Sequence, residues 1–220
     1  MAALSLEESP ESSASAAWST GSALSEETPG VLSRSLAAPY EDGLSVLEGL
    51  LSSGGFAAVE ARFVAPPASS HELLHPEQLA SGGSVMPPLP LPVAPGPGWQ
   101  LTYTDVLGEQ AWRSVLEQWL PASEAREFAA GWTADRVSVF ERAGATALRW
   151  ELRSSAPARA LGDRVCAALG LRPAEWACGA HPDTGVVAVL ARGTRLGFAS
   201  LVGASQRASC RELQRWLAAD

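Results

Sequence analysis

His71-Glu72-Leu73-Leu74-His75 is the one string in this chain whose residue types and spacing spell catalytic chemistry. On a helix, histidines four apart share a face and both reach one Zn²⁺, while the glutamate beside the first serves as general base toward the metal-bound water. Local chemistry favours a start. Ser69 with Glu72 three positions on is a capping box, so a helical turn opens here, with Leu73 and Leu74 as apolar contacts. Pro76 works against a continuation, because its ring disfavours α dihedrals at His75 and it brings no N–H of its own. Pro66-Pro67 upstream and Pro76 downstream leave about two turns for a motif that zincins carry on a long buried helix.

Zinc also needs a third ligand. The remaining histidine, His181, lies far downstream and itself precedes a proline, and no histidine stands at the close downstream spacing of metzincins. A glutamate would serve, but 24 acidic residues leave too many to choose among. The expectation is therefore a capped short turn with no metal and no cofactor. The alternative is a zinc site with His71 and His75 as ligands and Glu72 as the catalytic base.

These residues have to be positioned by the rest of the chain. At 220 residues and 46% hydrophobic content, it holds one medium domain or two small ones with a real core. Net charge −8 argues against a nucleic-acid partner held by a broad basic surface, and all 16 basic residues are arginine. No apolar run is long enough for a membrane span. The N-terminus lacks the basic and apolar regions of a signal peptide, so as written the product is expected in the cytoplasm, and exported if the true start lies upstream. Cys166, Cys178 and Cys210 show no Cys-x-x-Cys spacing. They read as buried free thiols or, in an exported protein, as one disulfide with a leftover thiol.

Residues 1–30, rich in Ser, Ala and Glu, read as a mobile segment. From 31 to 80 the pattern is helical. Leu44, Leu47, Leu50 and Leu51 predict an amphipathic helix from about Tyr40 to Ser53, Gly54-Gly55 ends it, and Phe56 to Val64 forms a second. Residues 81–98 carry six prolines from Pro87 to Pro97, an extended connector that in principle offers a ligand for an SH3-like groove. Residues 99–220 read as strand, helices, hairpin, helix, hairpin, helix. Trp99 to Thr104 is the first strand, a helix carries Leu107 to Trp119, and Ser123 caps a shorter one. Hairpins turn near Gly144 and Gly193, with a helix over 158–169 between them and another from about Ser209 to Ala218. The sum is an α+β protein: a small helical lobe, a proline-rich connector, then an antiparallel sheet with helices on one face. Within the sheet domain, Asp135-Arg136 beside Gly131-Trp132 is a candidate corner for a carboxylate or a peptide end, with the structural role of holding that corner the stronger reading.

Five strings in order, Pro39-Tyr-Glu-Asp-Gly-Leu44, Gly54-Gly-Phe-Ala-Ala-Val59, Pro66-Pro-x-Ser-x-x-Glu-x-x-His-Pro76, Leu107-Gly-Glu109 and Ala130-Gly-Trp-x-x-Asp-Arg136, resemble the C-terminal region of a family of bacterial zincin-like metallopeptidases. The resemblance covers about residues 31–155. In that family the catalytic His-Glu-x-x-His helix and an acidic zinc ligand lie upstream of the matching region, and neither occurs here. The resemblance implies that Glu72, His75 and Pro76 are ordinary residues of a structural turn, and that His71 completes the string by coincidence. It implies a non-catalytic, metallopeptidase-derived protein acting in binding or assembly with a protein or peptide partner. A zinc hydrolase built on His71, Glu72 and His75 and a peptide-interaction module are the alternatives.

Overall fold

The computed structural model describes residues 30–76, 87–203 and 206–219. The segment expected to be mobile over 1–30, apart from Gly30, and the opening of the connector with Gly82-Gly83 lie outside the described residues. The element order is α1 (Gly30–Val64), α2 (Ser70–Leu74), β1 (Gln100–Asp105), α3 (Gly108–Leu116), α4 (Ala122–Ala130), β2 (Trp132–Arg142), β3 (Ala145–Ser154), α5 (Arg159–Ala168), β4 (Trp176–His181), β5 (Gly185–Arg192), β6 (Arg195–Val202) and α6 (Gln206–Ala218).

The strands form one antiparallel sheet in the order β1-β2-β3-β6-β5-β4. Alternation along β5 divides its residues between two cores. Val187, Val189 and Ala191 face α3, α4 and α5, packing with Trp112, Leu116, Ala129, Leu161 and Val165. Val186 and Ala188 face the other way, toward Leu213, Trp216 and Leu217 of α6. The α+β class is as the pattern predicts, but the expected placement of helices on one face is corrected: helices cover both. The reason is compositional, since β5 is apolar at nearly every position and a strand buried on both sides shows no alternation to read. β4 has no counterpart in the sequence pattern for a different reason: Trp176-Ala-Cys-Gly-Ala-His181 is a half-buried edge strand of small residues without a period-2 pattern.

The helical region opens at Gly30, close to the expected 31, but its first helix starts ten residues before the expected Tyr40. Pro39-Tyr40 reads as a helix start, yet Pro39 lies inside α1. The expected break holds: Gly55, at φ 63°, separates two helical arms. A polar seam ties the first arm to α3. Arg113 and Gln110 both donate to Asp42, and Arg34 bonds Glu117 at 2.8 Å. Both arms of α1 carry exposed apolar side chains, Leu36, Tyr40 and Leu44 on the first and Phe56 and Phe63 on the second.

The described part of the proline segment, from Pro87, runs without helix or strand along the α6 face of the sheet. It is pinned at two carbonyls, Leu89 O by Arg136 of β2 and Val93 O by the Trp216 indole at 2.7 Å. Cys178 of β4 and Cys210 of α6 form a disulfide, and Cys166 is a free, buried thiol. Burial pushes that thiol's pKa up, which holds it neutral and unreactive in the core. Among the described residues no helix is long and apolar enough to cross a membrane.

Candidate metal centre

The capping box forms as its residue types dictate. Ser69 Oγ accepts from Glu72 N at 3.2 Å, and the Glu72 carboxylate reaches back to accept from Ala68 N at 2.7 Å. Pro76 ends the helix where expected. His75 is non-helical (φ −125°, ψ 62°), although its N–H still closes onto His71 O at 2.9 Å. The helix is thus five residues, shorter than the two turns the flanking prolines allow.

A short helix cannot orient two imidazoles by itself, and a second element does so. Glu109, in the first turn of α3, presents a carboxylate only 2% exposed. His71 Nδ1 meets its Oε2 at 2.5 Å, and His75 Nε2 lies 3.0 Å from both of its oxygens. The two imidazoles sit 4.5 Å apart between centroids, and the Trp132 ring flanks His71 at 5.8 Å.

The start of α3 is held in place by contacts that involve no metal chemistry. Gly108 takes φ 78°, and a Cβ there would stand 2.4 Å from Ser70 Oγ, so only glycine lets α2 and α3 approach this closely. Ser70 Oγ in turn accepts from Gln110 N at 3.3 Å. Asp135 of β2, wholly buried, accepts from Leu107 N, Gly108 N, Trp132 Nε1 and Trp150 Nε1 at 2.9–3.1 Å. That carboxylate caps α3 and fixes the two tryptophans beneath the site.

The structure does not bring Asp135 and Arg136 together. As neighbours on a strand they point to opposite faces, Asp135 to the α3 side and Arg136 to Leu89 O and Thr104 Oγ1. The corner expected to bind a carboxylate is therefore two separate structural contacts, with Asp135 an acceptor already surrounded by donors. His181 lies at the end of β4, its Nδ1 accepting from Asp183 N at 3.4 Å, apart from the cluster.

Two imidazole nitrogens and a carboxylate oxygen make a His₂Glu donor set, a chemistry suited to Zn²⁺ and other borderline divalent ions. One donor atom from each of His71, His75 and Glu109 lies within 4.8 Å of the others. A tetrahedral ion with bonds of about 2.0–2.2 Å separates its donors by about 3.3–3.6 Å, so the residues present fit one ion once the His–Glu hydrogen bonds open and the two imidazole nitrogens take that spacing. Glu72 does not share in this set. Its carboxylate is committed to Ala68 N, and the residue lines an apolar groove of about 290 Å³ with Leu47, Phe63, Pro66 and Leu73. Glu109 went unrecognised in sequence because an acidic residue in the first turn of a helix is what any helix prefers. Leu107-Gly-Glu109 carried the signal only as a short string.

Comparison with family models, with curated proteins and with solved structures finds no match.

Proposed function

We propose that this chain is a non-hydrolytic, divalent-metal-binding protein in which His71, His75 and Glu109 hold one Zn²⁺-class ion and clasp the 66–76 segment to α3. The observation that carries the proposal is the buried Glu109 carboxylate facing two imidazoles, since a buried charge is tolerated when it is paired or bound to metal. Two features separate the site from a zincin hydrolase. The supporting helix is one turn long, and Glu72, the candidate base, caps that helix instead of facing the ion's ligands. The likeness to the non-catalytic region of a metallopeptidase family supports the same reading. The Cys178–Cys210 disulfide favours an exported protein over a cytoplasmic one, because such bonds persist in oxidising compartments.

The test is calorimetric titration of chelator-treated protein with Zn²⁺, alongside an assay on a casein substrate. About one ion per chain is expected, lost in Glu109→Gln and in His75→Ala and retained in Glu72→Gln, with no turnover in any of them. Undiminished zinc binding in Glu109→Gln overturns the site. Casein hydrolysis that disappears in Glu72→Gln while zinc stays bound restores the hydrolase.

A further inference from the structure

A second cluster lies on the α6 face of the sheet, away from the histidines. Residues two apart on a strand share a face, so β3 presents Arg149, Glu151 and Arg153 together. The register then sets Arg153 opposite Arg195 on β6, and Arg195 opposite Arg192 on β5. Three arginines thus stand in one row across three adjacent strands. Like charges directly opposite each other destabilise a sheet, so this row calls for compensation.

Among the described residues, carbonyls of α6 and one carboxylate contribute to it. Arg149 and Arg195, with side chains 4% and 9% exposed, are fixed by carbonyls at the end of α6: Arg149 donates to Trp216 O at 2.6 Å, and Arg195 to Leu217 O at 2.9 Å. Among the described residues Glu151 is the one carboxylate lining the cavity, and Arg149, Arg153 and Arg195 all converge on it. Arg192 has the exposed Glu175 only at 3.7 Å. Among the described residues, four arginines and one carboxylate thus line a cavity of about 440 Å³. Its other wall is apolar, made by Pro90, Leu91 and Pro92 of the pinned proline segment. The concentration of positive charge stands out on a chain of net charge −8.

We propose that this cavity binds a small organic molecule bearing a phosphate or carboxylate group. Arg153 and Arg192, the two exposed members of the row, take the oxyanion, since guanidinium donates to such groups in pairs of parallel hydrogen bonds. The proline wall takes the organic body, and the volume lies in the range of small-molecule sites. Glu151 keeps the buried arginines in place and sets an orientation for the ligand by repelling its charge.

The experiment is calorimetric titration at constant ionic strength with phenyl phosphate, benzoate and inorganic phosphate. The comparison protein is Arg153→Gln combined with Arg192→Gln, both of whose side chains are well exposed. Phenyl phosphate or benzoate is expected to bind with a Kd below about 1 mM, to bind tighter than inorganic phosphate, and to weaken at least about tenfold in the double variant. Whichever of the two organic probes binds tighter names the oxyanion. No heat from any probe overturns the proposal, as does binding that the double variant leaves unchanged while its circular dichroism matches the parent. Zinc titration of the same variant is expected to be unaffected, which separates this site from the metal centre.

Discussion

Two buried carboxylates, Asp135 and Glu109, meet at the first turn of α3. Asp135 is surrounded by four N–H donors that have nothing else to do: two backbone amides and two indoles. Glu109 faces two imidazoles, groups that can release a proton and accept a metal instead. Burial alone does not distinguish a structural acid from a functional one. The exchangeability of its partners does, and by that criterion Asp135 is the support and Glu109 the site.

The contrast can be broken by substitution. Asp135→Ala strands four donors at once, two of them buried and two part-buried, and is expected to lower unfolding stability by about 4 kcal/mol, a large share of the total for a protein of this size. Urea unfolding measures it, and a loss below about 1 kcal/mol would mean that the donors find other partners. Next in size, Zn²⁺ at about one hundred times its Kd is expected to stabilise the parent by about 2.7 kcal/mol and to leave Glu109→Gln unmoved. Equal stabilisation of both proteins in the same urea assay would place the ion elsewhere. Smallest, Gly108→Ala forces a side chain into a positive-φ position already crowded by Ser70, at a cost of about 1–2 kcal/mol. It is expected to weaken zinc binding as well, because displacing Ser70 moves His71. Normal zinc affinity in a destabilised Gly108→Ala protein would show that the junction supports the fold without setting the site.

Much of the local structure was legible. Ser69 and Glu72 announced their cap, Pro76 its stop, Gly55 the break between arms, and the hairpins at Gly144 and Gly193 their strands. Each of these is decided by neighbours in sequence. Ser123 misled, since α4 begins at Ala122 with Pro121 before it and no side-chain cap. What could not be read is what long-range packing decides. The pairing of Glu109 with His71 and His75 spans more than thirty residues and depends on Gly108 permitting two helix ends to touch. The arginine row is likewise set by register, and register follows from which faces of β3, β5 and β6 are buried rather than from any spacing along one strand.

Asp135 also carries a consequence for motion. Its donors come from the start of α3, from β2 and from β3, so no one of those elements can lift away without uncovering the same carboxylate. The amide protons of Leu107 and Gly108 are therefore expected to exchange only with global opening, although both residues belong to a loop-to-helix junction that would ordinarily fray within far shorter times. The floor beneath the proposed metal site is thereby expected to exchange as slowly as the sheet, and the five-residue turn that carries the histidines between prolines to exchange faster.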